Sequence, residues 1–145
     1  GVDGMVGGQS LDVYLTDKPM DKEQLDYIFR LKTGALIEAA FMAGGILAGC
    51  DEKTQGLLCK AGYNVGFAFQ IKDDILDVTS TQEVLGKPVL SDERNNKTTY
   101  VTLYGLEKAE KDTYDMSKEA MGIIKSIGHN EYLEELINML IHRNK

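Results

Sequence analysis

The sequence has little proline and cysteine, and it has no long apolar run. Proline occurs only at Pro19 and Pro88, outside the long periodic segments, so helices can extend through most of the chain. No run reaches the ~18–20 apolar residues that a membrane span requires. Cys50 and Cys59 lack the spacing and the partners of a zinc site. We therefore expect two reduced cysteines in or near a core, as in a cytoplasmic protein without a membrane span.

The chain is also short of positive charge. Its 16 Lys and Arg residues against 23 Asp and Glu residues give a formal net charge of −7. Proteins that bind duplex nucleic acid neutralise phosphates with Lys and Arg, so this balance argues against a nucleic-acid partner. It is compatible with a small phosphorylated ligand, because a local group of lysines or a bound metal reverses the field inside a cleft.

Apolar residues recur at helical spacing along most of the 145 residues and predict an all-α domain. Helices are predicted over residues 2–14, 22–47, 54–78, 99–127 and 130–143, and Gly34 can kink or split the second. The polar stretch between residues 79 and 100 contains Gly86 and Pro88 and is predicted to be a long loop. The opening GVDGMVGGQ has no helix cap, so we expect the chain to be the C-terminal portion of a longer protein.

The segment FQIKDDILDV, residues 69–78, places three carboxylates among apolar residues. The helical period places five residues on one stripe, Gly66, Gln70, Asp73, Asp74 and Asp77. Ile71 and Ile75 lie off this stripe and are expected to face neighbouring helices. Like charges on a partly buried stripe repel, so a cation must offset them. Asp73 and Asp77 are four residues apart and can share Mg²⁺, which takes one or two carboxylates and completes its shell with water and phosphate oxygens.

The alternative is a solvated acidic face on a surface helix. The apolar neighbours Phe67 and Phe69 argue against that alternative. Gly66, one turn before Gln70, is interpreted as clearing space for a ligand beside the carboxylates.

Basic residues elsewhere could meet a metal-bound diphosphate. Lys32 and Thr33 stand beside Gly34, where a flexed helix exposes backbone N–H groups. Lys87 and Lys97 bracket the loop that follows the aspartates, and lysine is a suitable point charge for phosphate oxygens. Asp92, in the same loop, could hold a metal-bound water. Each lysine taken alone is more typical of a surface residue, and their common position around the stripe is what favours a site.

Five motifs, GMVGGQSLD, KTGALIEAA, GFAFQIKDDILDV, LGKPVLSD and NKTTYVTLYG, occur in this order over nearly the whole chain. Together they resemble the C-terminal half of a trans-isoprenyl diphosphate synthase, of the bacterial farnesyl (geranyltranstransferase) or geranylgeranyl type. The ending IHRNK is similar to the natural C-terminus of that family. The resemblance implies that residues 1–145 are the C-terminal portion of a single helical isoprenoid-synthase domain, usually homodimeric, and that the N-terminal half is absent.

The resemblance also implies roles for individual residues. Asp73, Asp74 and Asp77 would form the second aspartate-rich motif, with Asp73 the direct Mg²⁺ ligand. The positions that match residues holding the allylic diphosphate are Lys32, Thr33, Gln70, Lys87 and Lys97, of which Lys32, Thr33 and Lys87 are expected to act in catalysis. Gln9 and Asp12 match positions near the allylic substrate, and Phe69 is expected to line its cavity or to pack in the core. The implied reaction joins an allylic diphosphate to isopentenyl diphosphate.

The chain departs from the family pattern in one important respect. It has neither the first aspartate-rich motif nor the basic residues that bind isopentenyl diphosphate in such enzymes, so we expect that these 145 residues alone do not catalyse elongation. Two alternatives are a non-catalytic prenyltransferase-like partner subunit and a class I terpene cyclase. The Asp-rich DDILD argues against the cyclase, and the intact Asp, Gln and Lys set argues against the non-catalytic partner.

Overall fold

The computed structural model describes residues 1–85, 98–128 and 130–143, which contain helices and no strands. The α-helices are α1 (Met5–Tyr14), α2 (Lys22–Ile28), α3 (Ala35–Leu47), α4 (Glu52–Leu85), α5 (Tyr100–Tyr104), α6 (Leu106–Ile127) and α7 (Glu131–His142), and a π-helical segment, Phe29–Gly34, joins α2 to α3. The predicted all-α class is confirmed. None of the described helices has both the length and the apolar composition to cross a membrane.

The main differences from the sequence-based expectation lie in three places. The π-helical segment ends at Gly34, the predicted position of a kink or break, so the irregularity is a wider turn within a continuous helix. Helix α4 continues seven residues past the predicted end at Val78, because no helix-breaking residue occurs before Gly86. The predicted helix over residues 99–127 is divided at Gly105, whose φ of 83° suits glycine.

Reciprocal side-chain caps fix the starts of α2 and α5. Asp21 accepts the backbone N–H of Gln24 at 2.8 Å and the Gln24 side chain accepts the N–H of Asp21 at 3.0 Å, so this capping box fixes the start of α2. Thr99 and Thr102 make the same reciprocal arrangement at α5. The α5 cap therefore fixes the backbone at Thr99, immediately before Tyr100.

Helix α4 lies at the centre of the fold, between α3 with the π-helical segment and α6. One core cluster contains Phe29, Phe67, Ile71, Ile75 and Tyr100, together with smaller apolar residues of α2 and α6. A second cluster, around Val65, Ile124 and Ile137, joins α4 to α6 and α7. Ile71 and Ile75 are buried as the helical period predicted, whereas Asp77 is exposed.

Two glycines of α4 allow an unusually close approach of the preceding helix. A Cβ on Gly66 would lie 2.7 Å from the Cα of Gly34, and a Cβ on Gly62 would lie 2.9 Å from the Cα of Glu38. The interpretation of Gly66 as space for a ligand is therefore wrong, because backbone of the π-helical segment fills that space. Gly66 serves the site indirectly, by bringing that segment against α4.

Substitution of Gly66 tests this contact. Gly66→Ala should lower the free energy of unfolding by about 2 kcal/mol, because the added methyl group forces two backbones apart. Gly56→Ala, on the same helix with open space around it, should raise it by about 0.5–1 kcal/mol, since alanine is the better helix former. Urea unfolding followed by circular dichroism measures both. Equal effects of the two substitutions would contradict the packing described.

Candidate active site

The first polar pair of the site joins α1 to the π-helical segment. Lys32 Nζ lies 2.7 Å from Asp12 Oδ2, and both side chains are about one-third exposed. The pair forms because α1 lies directly on the segment: a Cβ on Gly8 would overlap the backbone nitrogen of Lys32. Two residues predicted near the allylic substrate are thus brought together by the fold, and Asp12 orients the lysine. Gln9, also predicted there, is half-buried beside Gly8.

The second polar group lies on α4, close to the first. Lys32 and Thr33 directly precede Gly34, which touches Gly66, and Gln70 follows Gly66 by one helical turn. The π-helical segment therefore lies next to the part of α4 where the aspartate stripe begins. Thr33 and Gln70 are both half-buried, so their side chains remain partly accessible to a ligand.

Asp73 is held by two side chains. Gln70 Nε2 donates to Asp73 Oδ2 at 3.1 Å, and the guanidinium of Arg143, just past the end of α7, donates to Asp73 Oδ1. The same guanidinium lies 3.8 Å above the centre of the Phe69 ring. The Asp73 side chain remains 40% exposed. Phe69, predicted to line a substrate cavity or to pack in the core, contacts the cation that pairs with Asp73.

Asp74 has a structural contact. Its Oδ2 accepts the backbone N–H of Tyr100 at 2.6 Å, which connects the aspartate helix to the first residue of α5. The Tyr100 ring is buried beside Phe29 and Phe67, and its hydroxyl donates to Asp112 of α6 at 2.7 Å. Asp74 therefore positions the segment that follows the loop, in addition to any role toward a metal. Asp77 is exposed one turn beyond Asp73.

The carboxylate oxygens of the aspartates are donors that suit magnesium, but their present arrangement in the described part of the chain does not form a metal site. Within residues 1–85, 98–128 and 130–143, no three carboxylate, imidazole or thiolate side chains converge as a metal-binding group. Asp73 and Asp77 nevertheless provide two accessible carboxylates at i and i+4, and Asp73 already holds a cationic group. Hard oxygen donors of this number are what Mg²⁺ takes from a protein when phosphate supplies its other ligands. The residues fit the ion if Asp73 exchanges its partner.

Three predicted residues, Lys87, Lys97 and Asp92, lie outside the described residues, and their roles stay predictions. Two residues of this region were not nominated from the sequence. Tyr100 had only its place in NKTTYVTLYG as a signal, and Arg143 had only the similarity of the chain ending. Neither signal indicates a contact with the aspartates, because such contacts depend on tertiary packing.

The described residues form the all-helical fold that the resemblance to trans-isoprenyl diphosphate synthases implied. Residues 2–140 match the family described as polyprenyl synthetase. The chain belongs to the polyprenyl synthetase family, which confirms the resemblance found in the five motifs.

Similar proteins agree with this assignment. The chain is 41% identical over 146 residues to the farnesyl diphosphate synthase of Micrococcus luteus, covering 100% of this chain and 50% of that protein. The structure matches that of a putative farnesyl-diphosphate synthase from Marinomonas sp. MED121 with a TM-score of 0.82 and 29% identity, over 97% of this chain and 48% of the other.

A second solved structure is a geranyltransferase from Helicobacter pylori complexed with magnesium and isoprenyl diphosphate. Its TM-score is 0.72 at 33% identity, over 97% of this chain and 46% of the other. This chain thus spans about half the length of the relatives it matches.

The environment of Tyr100 predicts an alkaline limit to stability. Burial, and then the hydrogen bond to Asp112, raise the pKa of Tyr100 far above its usual range. A free tyrosine titrates near pH ~10, so the unfolded chain loses this proton first and the folded state loses stability as pH rises above that value. Tyr100→Phe should cost about 1–2 kcal/mol at pH 7 and lose stability less steeply above pH ~10.

Thermal unfolding between pH 7 and 12 measures this difference. Tyr132→Phe is the matched control, because that ring is 76% exposed and should leave the profile unchanged. Parallel profiles for wild type and Tyr100→Phe would contradict the assigned environment.

Proposed function

We propose that this chain forms the part of a trans-prenyltransferase that holds the diphosphate of an allylic substrate with Mg²⁺. The observation that carries the proposal is the position of Asp73. This carboxylate is accessible, binds a cationic group, and lies on the helix packed against the segment that carries Lys32 and Thr33. A metal-bound diphosphate needs both a carboxylate and nearby cations or N–H donors, and this arrangement provides them.

The proposed reaction is a head-to-tail condensation. The C–O bond of the allylic diphosphate breaks, its electron pair leaves with the diphosphate, and an allylic carbocation remains. The double bond of isopentenyl diphosphate attacks that cation, and the loss of a proton restores a double bond. Mg²⁺, when bound, neutralises charge on the leaving diphosphate.

The chain's own residues would stabilise the charge that develops on the leaving group. Lys32, with Thr33 beside it, would contact the diphosphate oxygens, and Asp12 holds that lysine in place. Gln70 would orient Asp73, to which it already donates. Lys87 and Lys97 are proposed as further diphosphate ligands, and Asp92 as a partner of metal-bound water. Phe69 and its apolar neighbours would exclude water from the carbocation.

The similar proteins support the substrates and the ion in this proposal. The farnesyl diphosphate synthase of Micrococcus luteus is named for an isoprenoid product, and the Helicobacter pylori enzyme was solved with magnesium and isoprenyl diphosphate. We extend the proposal to isopentenyl diphosphate as the second substrate and to a homodimer of the complete protein in the cytoplasm. We further propose that these 145 residues alone do not elongate an allylic chain, since they span about half of such enzymes.

The ligand part of the proposal is tested by calorimetric titration of the chain with inorganic diphosphate in the presence of Mg²⁺. Binding should require the ion and should weaken at least tenfold in Asp73→Ala, because the substitution removes a direct metal ligand. Asp115→Ala is the control, since that carboxylate pairs with Lys111 on a solvent-exposed face of α6. Equal affinity of Asp73→Ala and wild type for diphosphate would show that Asp73 does not bind the metal.

The reaction itself is tested with the complete product of the gene beside the 145-residue chain. Each is incubated with Mg²⁺, labelled isopentenyl diphosphate and a series of allylic diphosphates. We expect a longer linear prenyl diphosphate from the complete product, a loss of at least 100-fold in its Asp73→Ala variant, and none from the 145 residues alone. A cyclised hydrocarbon would indicate a terpene cyclase, and the absence of any product a non-catalytic partner subunit.

A further inference from the structure

Arg143, which follows α7, contacts the aspartate helix α4. It lies 70 residues after Asp73 and contacts that helix in three ways. Its Nη2 donates to Asp73 Oδ1, the same nitrogen lies 3.4 Å from the carbonyl oxygen of Phe69, and the guanidinium plane covers the Phe69 ring. The last residue described after α7 is therefore anchored at the carboxylate that the family pattern assigns to a metal.

Both carboxylate oxygens of Asp73 already accept a hydrogen bond. One carboxylate oxygen accepts from Arg143 and the other accepts from Gln70. A divalent cation that binds this carboxylate would lie beside a guanidinium that repels it and that competes with it for the lone pairs of Oδ1. The neutral amide of Gln70 adds no such repulsion. Arg143 is the group that must move.

Arg143 is also held in a way that permits exchange. Its Nε is buried and makes no hydrogen bond within the described part of the chain. Burial lowers the pKa of the guanidinium, which reflects the cost of withdrawing this charge from water. When Arg143 returns to solvent, its unsatisfied Nε gains hydrogen bonds to water, which offsets part of the loss of its contacts with Asp73 and with the ring and carbonyl oxygen of Phe69.

We propose that Arg143 is the resident counterion of Asp73 and that a divalent cation binds this carboxylate only by displacing it. Arg143 and the metal thus compete for one site, and Arg143 sets the metal affinity of the aspartate motif. The inference deepens the proposed function, since it rests on Asp73 being a metal ligand. It assigns to Arg143 a positioning role in the metal-free protein that operates through Asp73.

Binding of Mn²⁺, a probe with similar preference for hard oxygen ligands, tests the competition without reference to activity. The electron paramagnetic resonance signal of free Mn²⁺ gives the binding isotherm directly. Arg143→Gln should bind Mn²⁺ about three- to tenfold more tightly than wild type, the effect expected from removing a partly exposed ion pair. Phe69→Leu removes the ring beneath the guanidinium and should tighten binding by a smaller factor, while it leaves every charge in place.

Two further variants separate the possible outcomes. Lys53→Gln removes one positive charge from the same helix, twenty residues or about 30 Å before Asp73, and should leave the affinity unchanged. Asp73→Asn should abolish the competition, so that adding Arg143→Gln no longer tightens binding. Circular dichroism confirms that each variant is folded, and Phe69→Leu decides the question if Arg143→Gln is not.

The inference is overturned if Mn²⁺ binds through Asp73 but Arg143→Gln and Phe69→Leu bind it no more tightly than wild type. A weaker affinity in Arg143→Gln would overturn it as well, because Arg143 would then assist the metal. If Asp73→Asn binds Mn²⁺ as well as wild type does, the proposed metal site itself fails. The experiment thus distinguishes failure of the proposed competition between Arg143 and the metal from failure of the proposed metal site at Asp73.

Discussion

The contact between the backbones of Gly34 and Gly66 is the constraint on which the site depends. Without a side chain at either position, the π-helical segment lies against α4 at a distance that two ordinary helices do not reach. This contact sets where Lys32 and Thr33 stand relative to Gln70 and the aspartates. Gly8 extends the same principle to α1, which brings Asp12 to Lys32. Three small residues thus align polar groups from three helices.

The π-helical geometry of residues 29–34 acts together with that contact. A π-helical turn widens the helix and weakens its backbone hydrogen bonding, so it persists where packing stabilises it. Here Phe29 fixes one end of the turn in the aromatic core beside Phe67, and Gly34 fixes the other end against α4. The irregular turn that presents Lys32 is therefore supported on both sides, and Asp12 orients the lysine side chain.

Local sequence patterns predicted a large part of the fold and a smaller part of the site. The helical period located α4 and its buried Ile71 and Ile75, because burial of one helix face is imposed at short range. Gly66 was misinterpreted for the opposite reason: its partner lies 32 positions earlier, and periodicity carries no information about such pairs. The contacts of Asp73 with Arg143 and of Asp74 with Tyr100 were missed on the same grounds. Ordered motifs identified the family, while tertiary packing determined what each aspartate touches.

Through Tyr100, the aspartate helix α4 is connected to a carboxylate on α6. Its N–H binds Asp74 of α4 while its hydroxyl binds Asp112 of α6, so a single residue of the short α5 bridges two carboxylates on different helices. Lys108 also contacts Asp112, which makes it the fourth member of this chain of contacts. Substitutions at Asp74 and Asp112 are therefore thermodynamically coupled, and their energies are not additive. The energetic contribution of one carboxylate has no fixed value, because it depends on whether the other still holds the tyrosine.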